Sequence, residues 1–338
     1  MKACGIMQLI PKLILAVMAL QPAAASAAAM LGVNLAGAEA STATMPGRIG
    51  YNYVYPDRQE IDLAYGLGVR LFRLPLREDR IQDGIMGPLR PEVRTSVYPV
   101  IDYIRRKPGA VVLIDWHSFG KRQAIAYGTA PWDAEAIIDL NTKFMAPYRD
   151  ASANVWLGLQ NEPVGAGQTW WHTAALVVQG LRGSGLKGTI VVAGSGYSAA
   201  NSWAKYDGPQ AAQFHDPGRN IIFEAHSYFD ANGSGTGSEC VAGSEARLDP
   251  AINHARQFRY RLLFGELAVA DSATCDTVRS HVIARIKAAP SVVAACFWAL
   301  GSFYTFPHYK FGLTGPDKQK ASLLFTKLST DWAPGSSR

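Results

Sequence analysis

Short runs of near-continuous hydrophobicity recur along the chain at 32–35, 70–74, 111–115, 155–159, 189–193, 221–225, 262–265 and 293–298. Unbroken apolar runs of this length mark parallel strands covered on both faces, whereas strands with one wet face alternate. Segments with helical spacing separate them, at 60–67, 97–105, 134–148, 171–181, 249–259 and 277–287, with a closing helix at 321–332. The fifth connection, 195–219, is irregular. Strand–helix alternation repeated eight times predicts a single-domain α/β fold, a (β/α)8 TIM barrel. A doubly wound open sheet is the alternative, and neither a Gly-x-Gly-x-x-Gly turn nor a P-loop supports it.

The start of the chain reads as targeting. Lys2 and Lys12 accompany an apolar run at 13–20, and small residues follow at 23–29, including Ala25-Ser26-Ala27. This predicts a signal peptide over 1–29 and a catalytic barrel over 30–338, acting in the periplasm or outside the cell. The apolar run is too short for a bilayer core of about 30 Å, so no membrane attachment is expected after cleavage. The +6 net charge is spread without a dense Lys/Arg block, which argues against nucleic acid as a partner. A monomer is expected. Beyond Cys4 in the leader, Cys240 and Cys275 fall in connections assigned to one face of the barrel and are the expected disulfide. Cys296 lies in an apolar run and is expected to be a buried thiol. With no CxxC pair and no zinc-finger histidine spacing, no metal is expected.

Candidate chemistry sits at the strand ends: Arg73 ends the second, His117 the third, Asn161-Glu162 the fourth, His226 and Tyr228 the sixth, Glu266 the seventh and Trp298 the eighth. Polar groups at strand C-termini point into a barrel's mouth, where sites of this fold are built. Carboxylates on the fourth and seventh strands flank the centre of that mouth, as glycoside cleavage requires: one protonates the leaving oxygen, the other attacks or stabilises the anomeric carbon. An arginine near one carboxylate keeps it ionised, and a drier setting keeps the other protonated. Aromatic residues around the mouth, among them Tyr197, Trp203 and Trp298, suit the flat apolar faces of sugar rings; Trp170 and Trp171 open a helix, so at most one can face the groove.

These residues resemble glycoside hydrolase family 5, the cellulase family. The resemblance is carried by Gly32-Val33-Asn34-Leu35-Ala36-Gly37, Leu71-Phe72-Arg73-Leu74-Pro75, Gly158-Leu159-Gln160-Asn161-Glu162-Pro163 and Phe264-Gly265-Glu266. The stretch from His226 to Cys240 looks like the fifth subfamily, which holds fungal and bacterial endo-β-1,4-glucanases. The resemblance implies a retaining double displacement with Glu162 as acid/base and Glu266 as nucleophile. It also implies a subsite of Arg73, His117, Asn161, His226, Tyr228 and Trp298, and no metal or organic cofactor. The chain departs from the pattern at Ser118-Phe119, Glu78, Tyr197, Asn201 and Leu267-Ala268, which places its individuality in the substrate groove. The expected substrate is a β-1,4-glucan. The alternatives are a sister specificity (mannan, mixed-linkage glucan or bacterial exopolysaccharide), transglycosylation, and a barrel that binds carbohydrate without turnover.

Overall fold

The computed structural model describes residues 28–164, 167–305, 307–317 and 320–335. The leader expected over 1–29 lies outside them except for its last two residues. Eight parallel strands close into a barrel: β1 (Met30–Leu35), β2 (Leu71–Leu76), β3 (Val111–Trp116), β4 (Val155–Gly158), β5 (Ile190–Ala193), β6 (Ile221–Tyr228), β7 (Leu262–Ala268) and β8 (Val292–Leu300). Each pairs with its sequence neighbours, and β8 closes on β1. All the predicted runs are strands. β6, β7 and β8 run further at their C-terminal ends than their apolar stretches suggested, so polar residues expected to follow β6 and β7 lie within them.

The helices between strands begin where a side chain can satisfy free backbone N–H groups. Asp57 forms a capping box with Glu60 ahead of Arg58–Gly66, and Asp133 caps Ala134–Phe144. Ser272 caps Ala273–Lys287 and so starts that helix four residues before the periodicity does. The predicted 134–148 helix stops at Phe144 and gives way to a 3-10 turn, Ala146–Tyr148, around Pro147, which lacks an N–H to continue the ladder. The irregular fifth connection holds only short turns of helix, Trp203–Tyr206 and Gly208–Gln213.

Alternation along parallel strands sorts the barrel interior into layers. Leu71, Leu113, Val191, Ile222, Leu263 and Ala294 form an apolar cluster separate from the core between barrel and helices. Two residues further along come Arg73, Asp115, Glu224 and Cys296, a buried layer that is mostly ionic. Two further again stand His117, His226 and Trp298. β7 breaks the alternation. Ala225 pairs with Phe264 but His226 pairs with Glu266, so Gly265 is an extra residue. Strict alternation from Leu263 would turn Glu266 outward; the bulge reverses the face and brings it to Arg73. Only glycine fits there, because a Cβ on residue 265 would stand 1.7 Å from Glu224 Oε1.

The long loop after β6 is tied on three sides. Asp230 accepts from the N–H groups of Gly235 and Gly237, and Arg247 donates to the carbonyls of Tyr228, Asp230 and Ala231. A disulfide joins Cys240 to Cys275, and Cys275 sits in the first turn of Ala273–Lys287, not in a loop. Cys296 is a buried free thiol.

Two outcomes follow. Gly265→Ala must push Glu224 aside or flatten the bulge, and should destabilise the fold by about 2–3 kcal/mol in urea titration; an unchanged midpoint would mean the bulge accommodates a side chain. Reducing the disulfide frees a loop with a sequence separation of 35 and should cost about 4 kcal/mol on the loop-entropy account. A melt unaffected by reductant would mean that Arg247 and Asp230 hold the loop unaided.

Candidate active site

Arg73 is the hub of the barrel mouth. It is fully buried, and nothing in its own strand can neutralise it. Nη1 donates to Glu266 Oε1 at 3.0 Å and to Asn34 Oδ1 at 2.8 Å, and Nη2 donates to Asn161 Oδ1 at 2.6 Å. Asp115 Oδ2 lies 3.1 Å from Nη1, and Glu224 Oε1 lies 2.9 Å from Nε as an ion pair without hydrogen-bond alignment. Asn34 passes the contact on, donating to the carbonyl of Gly265 at the bulge. A desolvated guanidinium survives only with such compensation.

Around this hub the two glutamates diverge. Burial pushes the Glu266 carboxyl up, but His226, Arg73 and His117 outweigh it, and Tyr228 Oη donates to Oε2 at 2.6 Å; the net result holds Glu266 at about 2. Glu162 also loses water, and its neighbour Glu266 adds repulsion. Its bond to His226 opposes both without cancelling them, so its pKa is raised. The surroundings therefore drive the two carboxyls apart, holding Glu266 ionised and favouring the protonated form of Glu162, the division that acid–base chemistry needs. Carboxylate oxygens of the two residues lie within 4.8 Å of each other. Glu162 sits at φ 39°, in the left-handed region, which for a non-glycine residue costs about 1–3 kcal/mol.

His226 bridges these groups. Nδ1 is 2.7 Å from Glu162 Oε1 and 3.9 Å from Glu266 Oε2, and Nε2 is 3.0 Å from Glu224 Oε1. Burial disfavours the charged ring, but Glu266 and the bonds to Glu162 and Glu224 prevail and raise it to about 10. His117 is likewise buried yet raised by Asp115, 2.8 Å from its Nδ1. Among the described residues, Glu162, His226 and Glu266 are grouped closely enough to surround a cation. Both ring nitrogens of His226 already face carboxylates, which leaves no lone pair for a metal.

The residues singled out from the sequence fall into three groups. Glu162, Glu266, His117, His226, Tyr228, Trp298 and Tyr197 line one cleft of about 900 Å³ at the barrel mouth. Trp298 stacks on His117 with ring centroids 5.4 Å apart, and Tyr197 is 58% exposed. Arg73 and Asn161 were expected to line the subsite; both are fully buried and act from behind its wall. Trp203 was expected to meet substrate but is fully buried, its Nε1 donating to Tyr260 Oη at 2.7 Å, because the short 203–206 helix turns the indole into the helix layer. Neither Trp170 nor Trp171 reaches the groove.

The departures at Glu78 and Ser118 do not line the groove either. Both are buried and bonded to each other, Ser118 Oγ donating to Glu78 Oε1 at 2.7 Å, with Gln160 completing the cluster. Phe119, a departure expected in the groove, does line the cleft; residues not foreseen include Asp115 and Glu224 beneath the site, and Asn232 and Arg247 on the cleft wall. Asp115-x-His117 and Glu224-x-His226 share an i, i+2 spacing that could have revealed the first two.

Comparison with known proteins agrees with this geometry. The endo-beta-1,4-glucanase A of Emericella nidulans is 26% identical over 299 residues, covering 86% of this chain and 89% of that one. A solved endo-beta-1,4-glucanase from Xanthomonas axonopodis pv. citri, carrying a triple mutation, is 26% identical with a TM-score of 0.84, covering 90% and 98%. XacCel5A, solved in complex with cellopentaose, is 25% identical with a TM-score of 0.84, covering 90% and 99%. Residues 32–303 match the family Cellulase (glycosyl hydrolase family 5). A carboxyl pair at the ends of β4 and β7, shifted in opposite directions above a buried arginine, thus stands in a glycoside hydrolase, and the chain belongs to the family 5 cellulases.

Proposed function

We propose that this chain cleaves internal β-1,4-glucosidic bonds of cellulose-type glucans with retention of configuration, Glu266 attacking and Glu162 serving as acid and then base. The observation that carries the reading is the spacing of the two carboxyls. Nearest oxygens within 4.8 Å fit the close pair of retaining enzymes, about 5–5.5 Å, better than the roughly 6.5–9.5 Å across which inverting enzymes seat a water.

The steps follow from the environments. A glucosyl ring rests against Trp298 in the cleft. Glu162 gives its proton to the glycosidic oxygen as Glu266, held ionised by His226 and Arg73, attacks the anomeric carbon. The leaving chain departs, and a glucosyl ester remains on Glu266. Water then enters, Glu162 takes its proton, and the ester is cleaved from the same face. Tyr228 and Arg73 hold both Glu266 oxygens and restrict its rotation.

The reading includes the site roles of His117, His226, Tyr228, Trp298 and Tyr197 in holding sugar or catalytic groups. It also includes an exported, monomeric enzyme with a leader over 1–29 and a single catalytic unit over 30–338. The Cys240–Cys275 disulfide favours an oxidising compartment. No helix among the described residues is long and apolar enough to cross a membrane.

Two measurements test this. Glu162→Ala should lose about 10²–10⁴-fold on cellulose but retain cleavage of a dinitrophenyl cellobioside, and added azide should yield the β-azide. Glu266→Ala with azide should yield the α-azide. Exchanged anomers would reverse the roles, and an α-anomer released first by the wild type would refute retention. The pH profile of kcat/KM should be bell-shaped. Glu266 acts ionised and is lowered, so the acid limb belongs below the ordinary range, toward about pH 2. Glu162 acts protonated and is raised, so the basic limb belongs above its ordinary 4.5. An acid limb at about pH 4–5 would show that His226 and Arg73 do not control the nucleophile.

A further inference from the structure

Glu224 touches no open part of the cleft, yet one of its oxygens lies within 3.0 Å of both Arg73 and His226. It is 2% exposed and ionised, its carboxyl lowered although burial opposes this, because Arg73 and His226 outweigh the desolvation. An ionised carboxylate only accepts, so His226 Nε2 must carry a proton. The other ring nitrogen points at Glu162 Oε1 at 2.7 Å, with Glu266 Oε2 at 3.9 Å. The imidazole is thus strung between a buried anion and the acid/base. Gly265 exists to leave room for that anion: any Cβ there collides with the Glu224 carboxyl.

We propose that Glu224 is a positioning residue for the acid/base, holding His226 from beneath as a doubly protonated ring that donates to Glu162. The charged groups around His226 are consistent with this. Glu162 reaches it from the end of β4, Glu266 from β7 and Glu224 from its own strand, while Arg73 from β2 stands on the far side of Glu224. His117 acts from β3 on both glutamates, and Tyr228 acts on Glu266. Three carboxyl groups thus face one ring, and the guanidinium is screened from it by the carboxylate between them. When Glu162 has given up its proton, the anion it leaves meets a donor already aimed at it, with no reorganisation.

The inference rests on Glu162 being the acid/base, but its first test reads His226 directly and holds whichever glutamate proves to be the nucleophile. Nitrogen-15 spectra of histidine-labelled wild-type protein, with the signal assigned by its loss in His226→Asn, should show both ring nitrogens of His226 protonated at pH 8. A neutral ring at that pH overturns the proposal. In Glu224→Gln the carboxylate is replaced by a neutral amide of the same shape, so His226 should lose a proton by pH 8. Glu162, relieved of a cationic neighbour, should then keep its proton longer, moving the basic limb of kcat/KM up by about one pH unit. Turnover should fall about tenfold with KM unchanged. A variant with lowered turnover but an unmoved basic limb and a still doubly protonated His226 would reduce Glu224 to a packing role and overturn the assignment. If the variant does not fold, the wild-type spectrum decides alone.

Discussion

Everything at the mouth of this barrel depends on one buried guanidinium. Arg73 pairs with Asp115, Glu224 and Glu266, which come from three other strands. Isolated, each of these charges would cost several kcal/mol to desolvate, and removing one partner from such a cluster typically costs about 3–5 kcal/mol because the others are left uncompensated. The cluster is therefore not an efficient source of stability. An apolar layer of the same volume would pack the barrel at least as well, as the cluster of Leu71, Leu113, Ile222 and Leu263 does one layer down. What the ionic layer supplies is a fixed electric field beneath the reacting groups.

That field separates two chemically identical side chains. Glu162 and Glu266 are both desolvated, which alone would make both of them neutral acids. Glu266 receives the arginine, two histidines and a tyrosine hydroxyl; Glu162 receives the two histidines alone, one of them through a hydrogen bond. Charge balance is kept by the buried anions: Asp115 supports His117 and Glu224 supports His226 at the same i, i+2 interval. Each histidine thus lines the cleft and has a ring nitrogen turned to a buried carboxylate. Arg73, His226 and Tyr228 lie within strands and His117 directly follows β3, so these groups are preorganised around the two glutamates.

The departures from the family pattern distribute unevenly around this arrangement. Glu78 and Ser118 compensate each other in a buried pair behind the β4 end, where Gln160 Oε1 also accepts from the backbone N–H of Asn161. They support the wall without shaping it. Tyr197 and Phe119, by contrast, are exposed on the cleft and carry positive φ angles of 63° and 55°. Two aromatic rims and the disulfide-tied loop after β6 thus bound the cleft around the carboxyl pair.

The sequence by itself determined the barrel, its strands and the carboxylates at the ends of β4 and β7. The reason is that apolar runs and the residues closing them are local features, and strand order in a parallel barrel follows chain order. It could not determine which way the closing residues face. Glu266 turns inward only because of a bulge at Gly265, and that bulge is defined by pairing with β6 and β8, not by anything within β7. Trp203 is an aromatic near the mouth by position, but the short helix carrying it turns it toward Tyr260. Arg73 and Asn161 are correctly placed in the site yet lie behind its surface, because burial is a property of what packs on top. The layer of Asp115 and Glu224 is decided by the tertiary structure alone: their spacing to His117 and His226 is visible along the chain, but closing the barrel is what brings both carboxylates onto one arginine.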